Sequence, residues 1–125
     1  MHGLNALVVE DEYLVAADIE QSLRSAGVAD VTIQGDVAAA RALDFSGFAF
    51  AVIEAKFGSA DAVALCTALR ASGVPVVVTS ADQAVQALFT SATPLAKPFD
   101  TASLLAACEV ALQRRPSPDL LGEPG

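Results

Sequence analysis

The chain has 125 residues, 54% of them hydrophobic, and carries a formal charge of −8 at neutral pH. That length allows one domain around one core, and the acidic balance argues against nucleic acid as a direct partner, because phosphate binding needs clustered Lys and Arg. No apolar run approaches the roughly 18 residues of a membrane span, and no basic stretch leads into an apolar segment at the N-terminus. Neither a membrane anchor nor a signal peptide is expected, and the protein is read as cytoplasmic.

Leu4 to Glu10 reads as a buried strand, followed by a helix from Glu12 to Ala26. Leu14, Ala17, Ile19, Leu23 and Ala26 supply its apolar positions, Asp11 or Glu12 starts it, and Gly27 stops it. Val31 to Gln34 alternates apolar and polar residues, which suits a strand at a sheet edge. Asp36 then caps a short helix to Ala42 or Leu43. Phe48 to Ile53 is apolar on both faces and therefore central. Gly58 and Ser59 turn the chain into a helix over 60–71, ended by Ser72 and Gly73. Val74 to Thr79 is a further buried strand, with Pro75 near its first position, where a missing N–H is tolerated. Asp82 to Phe89 forms a short helix. Thr93 to Ala96 is a brief strand whose Pro94 confines it to an edge. Asp100 caps a last helix from Thr101 to about Gln113. Arg114 and Arg115 sit favourably against its macrodipole. The domain spans residues 1–115, and the Pro-, Gly- and Ser-rich residues 116–125 read as a flexible tail.

Five strands alternating with five helices predict a parallel sheet with right-handed crossovers. Edge character for the second and fifth strands selects the order 2-1-3-4-5 of the flavodoxin-like α/β fold, a three-layer sandwich. Cys66 and Cys108 each fall within an apolar helical stripe, with no paired spacing and no neighbouring His, and read as small buried hydrophobes.

Polar residues close four of the apolar runs: Glu10, Asp11 and Glu12 the first, Glu54 the third, Thr79 the fourth and Lys97 the fifth. In an open parallel sheet those carboxyl ends share one edge, where ligands bind. Glu10, Asp11 and Glu54 form an oxygen-rich site for a hard cation such as Mg2+. A hydroxyl at Thr79 and an ammonium at Lys97 suit an anionic group beside it, the combination that phosphoryl transfer uses. Acidic capping of the first helix is the plainer account of Glu10 to Glu12 taken alone.

From Ala6 to Leu112 the chain resembles the receiver domain of bacterial two-component response regulators. The matching pieces are Leu7-Val8-Val9-Glu10-Asp11-Glu12, Ala51-Val52-Ile53-Glu54, Val76-Val77-Val78-Thr79-Ser80 and Leu95-Ala96-Lys97-Pro98-Phe99. The resemblance implies that Glu10 and Asp11 hold Mg2+ with Glu54 and the backbone carbonyl of Lys56, that Thr79 and Lys97 contact phosphoryl oxygens, and that the Lys97–Pro98 bond is cis. It also exposes two departures. The family's phospho-accepting Asp aligns with Glu54, whose extra methylene carries the carboxylate outward by roughly 1.5 Å; displacement on that scale can cost about a hundredfold in an in-line reaction. Pro94 stands where the family commonly has a mobile aromatic, and its closed ring has no such rotamer choice.

Lys56 adds a cation that either turns toward Asp11 and Glu54 or points to solvent. Three neighbouring carboxylates need compensating charge, and Lys97 with Lys56 can supply it without Mg2+.

These features favour a stand-alone receiver-like module, not an enzyme, with phosphorylation weak or absent and output through protein contacts. Its partners would be a histidine kinase or phosphotransfer protein, or an effector; it would be a monomer or weak homodimer. The contact face would take in the helix around Asp82 to Phe89, the strand at Pro94 and the last helix, with Phe89 either exposed there or part of the core. Nothing after Gln113 is long enough for an output domain, unless the chain is a piece of a longer protein. The alternatives are a working switch that accepts a phosphoryl group from a histidine kinase, and a small phosphate-ester hydrolase on the same fold. The hydrolase lacks support from any G-x-G-x-x-G, P-loop or G-x-S-x-G pattern.

Overall fold

A computed structural model describes residues 1–56, 60–89 and 91–114, with Gln83 described by its backbone alone. The expected turn at Gly58 and Ser59, the placement of Arg115 and the tail over 116–125 lie outside the described residues. Five parallel strands, β1 (Asn5–Val9), β2 (Asp30–Gln34), β3 (Phe50–Glu54), β4 (Val76–Ser80) and β5 (Thr93–Ala96), form one sheet in the order β2-β1-β3-β4-β5. Five helices connect or follow them: α1 (Tyr13–Ser25), α2 (Val37–Ala40), α3 (Ala60–Ala71), α4 (Gln83–Gln86) and α5 (Thr101–Gln113). The arrangement is the flavodoxin-like one expected from the alternation of elements.

Because side chains alternate across a strand, the sheet builds two cores. Ala6, Val8, Phe50, Val52, Val77 and Leu95 pack against Ile19 and Leu23 of α1 and against Leu104, Cys108 and Ala111 of α5. Their neighbours Leu7, Val9, Ala51, Ile53, Val76 and Val78 pack against Ala40 of α2, Leu65, Cys66 and Leu69 of α3, and Val85 of α4. Cys66 and Cys108 therefore lie on opposite faces of the sheet, both free. Burial pushes the Cys108 thiol up to about 12, as expected of a packing residue with no thiolate chemistry.

Helix ends follow local chemistry. Asp36 accepts from the Ala38 amide and Asp100 from the Ser103 amide, both as N-caps. Gly27, with φ +100°, turns the chain out of α1, and a Cβ there would come within 2.7 Å of the His2 ring. Glu12 occupies the N-cap position of α1 without a side-chain capping bond, and its amide donates to Glu10 Oε2 instead.

Several expectations shift. Leu14 is 80% exposed, and Ala16, not Ala17, is buried on α1. Leu14 stands five residues before Ile19, about 140° around the helix from it, so the two do not share a face. Strands β3 and β4 each begin two residues later than read: the Phe48 amide closes a 3-10 turn over Phe45–Gly47, and Pro75 precedes β4, its carbonyl accepting from the Ala51 amide. Helix α4 stops at Gln86, because the Leu88 and Phe89 amides bond three residues back to Val85 and Gln86 and tighten the chain. That turn buries Phe89 and exposes Leu88 instead. Ile33 of edge strand β2 is half-exposed. No described helix is long and apolar enough to cross a membrane.

Phe50 is wholly buried at the centre of one core. Phe50→Ala is expected to lower stability by about 3–5 kcal/mol, whereas Ile33→Ala on the edge should cost less than about 1 kcal/mol. Urea denaturation of both variants measures the contrast; comparable losses would contradict this assignment of centre and edge.

Candidate functional site

Alternation across the strands decides where the polar residues point. Glu10, Glu54, Thr79 and Lys97 each come two residues after Val8, Val52, Val77 and Leu95, which all belong to the core beneath α1 and α5. All four therefore leave the sheet on that same face, at the carboxyl end of their strands. Ladder-like bonds run into the site and fix its backbone. The Glu10 amide donates to Gln34 O (3.2 Å), Ala55 N to Thr79 O (2.9 Å) and Lys97 N to Ser80 O (2.9 Å). Glu54 and Thr79 are direct partners in the β3–β4 register.

The side chains converge as the sequence predicts. Lys97 Nζ donates to Glu10 Oε1 at 3.1 Å and to Glu54 Oε2. Lys56 Nζ donates to Asp11 Oδ2 and lies 3.8 Å from Glu54 Oε1. Glu10 is 3% exposed, and its second oxygen accepts from the Glu12 amide at 3.1 Å. Thr79 is buried beside Glu54, and its neighbour Ser80 bonds through Oγ to the backbone of Asp82. The peptide bond between Lys97 and Pro98 is cis.

Two ammonium groups thus divide three carboxylates. Lys97, a fifth exposed, serves the buried side of the site, and the exposed Lys56 serves the rim; Glu54 is shared between them. Burial raises the Glu10 carboxyl above its ordinary value, although the Glu12 amide and Lys97 oppose the shift. Burial alone would lower the Lys97 ammonium, but its bonds to Glu54 and Glu10 prevail and raise it. At the rim, the bond between Lys56 and Asp11 raises the lysine and lowers the aspartate.

One oxygen from each of Glu10, Asp11 and Glu54 lies within 4.8 Å of the others. The donor type is the one a hard divalent ion takes. In this arrangement, however, each of the three carboxylates already contacts an ammonium group. The pocket as folded does not fit a divalent cation, because the ion would need the oxygens that the lysines hold.

Solved structures similar to this one include receiver domains. The response regulator receiver protein of Sinorhizobium medicae superposes with a TM-score of 0.73 at 22% identity, covering 90% of this chain and 98% of its own. The receiver domain of nitrogen regulatory protein C gives 0.68 at 25% identity over 90% and 97% of the two chains. The Francisella response regulator 1452 receiver domain gives 0.69 at 21% identity over 90% and 98%. This is the response-regulator receiver fold. No protein-family model matches the chain, and no curated protein is similar to it.

Within the receiver fold, Glu10, Asp11, Glu54, Lys56 and Lys97 are joined by ion pairs at one rim, and Thr79 is buried beside Glu54 in the β3–β4 register. One surface feature was missed. Beside Lys97, Pro98 and Phe99, a recess of about 490 Å3 is bordered by Leu14 and Val15 of α1. The five-residue offset of Leu14 from Ile19 was the signal that placed it outside the core.

Removing the inner cation tests the electrostatics. Glu10's raised value means that the folded state binds the extra proton between the ordinary glutamate value of 4.5 and its own higher one. Stability from this group is therefore gained on acidification through that window and lost as pH rises through it. Lys97, itself raised, contributes below its ordinary value near 10.5 and loses that contribution as pH rises through its folded value. Lys97→Met should cost about 1–3 kcal/mol at pH 7, where buried charge is left unpaired. The deficit should shrink as pH falls toward 4.5, because Glu10 then takes up a proton. Denaturant unfolding from pH 7 to 4.5 follows this, and a deficit that stays constant would contradict it.

Proposed function

We propose that this chain is a receiver-type signalling module that works through protein contacts and is not covalently phosphorylated. The observation that carries the proposal is the state of Glu54. Its carboxylate stands at the end of β3, is 10% exposed, bonds through one oxygen to Lys97 and faces Lys56 with the other. Acyl-phosphate formation needs a carboxylate oxygen placed in line with the donor phosphorus at about 3–3.5 Å. The glutamate arm carries that oxygen further from the strand than an aspartate would.

In this reading Glu54 is a resident anion. Lys97, which the resemblance assigns with Thr79 to phosphoryl oxygens, is met by a negative group of the chain itself. Glu10 orients Lys97 from the other side. Turnover has no part in this reading; the pocket sets the surface that a partner reads. The partner is a histidine kinase, a phosphotransfer protein or an effector, met by a cytoplasmic module that is monomeric or weakly dimeric. A contact face over α4, β5 and α5 agrees with the exposure of Leu88, Pro94 and Val110. Phe89, buried in the opposite core, is not part of it.

Incubation with Mg2+ and a small acyl-phosphate donor, followed by intact mass measurement, tests the proposal. The wild-type mass is expected to stay unchanged, while Glu54→Asp gains one phosphoryl group. A stoichiometric gain on Glu54 itself would establish a phospho-accepting switch instead. Steady release of phosphate from the donor without a mass change would point to a hydrolase.

A further inference from the structure

The exposed Lys56 side chain reaches two strand ends at the rim of the pocket. Its ammonium bonds to Asp11, which follows β1, and stands 3.8 Å from Glu54 Oε1 at the end of β3. Lys97 cannot substitute for it there, because Lys97 is committed to Glu10 and to the other oxygen of Glu54. Asp11, Glu54 and Lys56 border a recess of about 80 Å3 together with Gly35 and Val37. An exposed lysine with no task would keep its head group in water, where a single ion pair contributes little. This one is placed against two carboxylates from separate strands.

We propose that the Lys56 ammonium is a tethered cation that takes the place of a divalent ion between Asp11 and Glu54, so that two of the three carboxylate charges are balanced from within the chain itself. The inference rests on the receiver-type reading of the pocket. Two ammonium groups against three carboxylates leave one formal negative charge. A divalent ion would have to displace Lys56 to reach Asp11, and the exchange would change the formal charge of the pocket from minus one to zero. The device makes the charge of the rim independent of metal concentration, and a partner that reads the rim then meets the same surface with or without Mg2+. Lys56 acts here as a positioning residue for Asp11 and Glu54.

Calorimetric titration of the full chain with Mg2+ tests it, and does so without any phosphorylation step. Lys56→Met keeps the arm and removes the charge; Lys56→Gln is the second variant. Both are expected to bind Mg2+ about two- to fivefold more tightly than wild type, the ratio that displacing one exposed ion pair corresponds to. Lys56→Arg should bind no more tightly than wild type. Adding Asp11→Asn to Lys56→Met should abolish the gain, which locates the ion. Wild-type affinity within twofold of both neutral variants would overturn the proposal, as would absence of binding in every variant. Either result leaves the mass measurement on Glu54 untouched, so failure of the tethered cation is distinguishable from failure of the signalling reading.

Discussion

The contact between the Lys97 ammonium and the carboxylates of Glu10 and Glu54 ties together strands that are not neighbours. In the order β2-β1-β3-β4-β5, Lys97 follows β5, Glu54 ends β3 and Glu10 follows β1. At about 4.8 Å per strand, β5 lies roughly 10 Å from β3 and 14 Å from β1. Two long side chains must therefore meet above β4, which ends at the site in Thr79 and Ser80. These residues are small, and their polar atoms are at home in a charged cleft. Everything else about the pocket follows from this span: which face carries the charges, why Glu10 is held inside, and why Glu54 has one oxygen left for the rim.

The same contact makes the site sensitive to loss of charge. A nearly buried carboxylate such as Glu10 is tolerated because its oxygens accept from Lys97 and from the Glu12 amide. Without the lysine, the desolvation already paid in folding would stand uncompensated. At the rim, the pair between Lys56 and Asp11 is more than half in water on the lysine side, and so contributes through position more than through energy. The pocket has one largely buried cation, Lys97, and one exposed cation at the rim, Lys56.

Most of this was legible in the amino-acid order, for identifiable reasons. Parallel strands buried on both faces read as continuous apolar runs, so Ala6 to Val9, Phe50 to Ile53 and Val76 to Val78 announced themselves. The polar residue that ends each run then had to lie on the ligand-binding edge. Pro94 marked β5 as an outer strand, as its exposed position beside Val78 bears out. Boundaries were less legible. Phe48 and Val74 continue the apolar pattern but belong to turns that hydrogen bonding alone defines. Leu88 and Phe89 are adjacent and equally apolar, and only the tightening after α4 decides which one is buried. The direction of the Lys56 side chain was open from sequence, because several rotamers of an exposed lysine are of similar energy until Asp11 and Glu54 are placed in space.

A double-mutant cycle between Lys97 and Glu54 addresses the central claim most directly. Stabilities of wild type, Glu54→Gln, Lys97→Met and the double variant would be measured by denaturant unfolding at pH 7. If the two side chains share charge across β4, the single losses do not add, and the coupling should be about 1 kcal/mol or more. Losses that add to within about 0.3 kcal/mol would show two independent residues and would contradict the pocket described here.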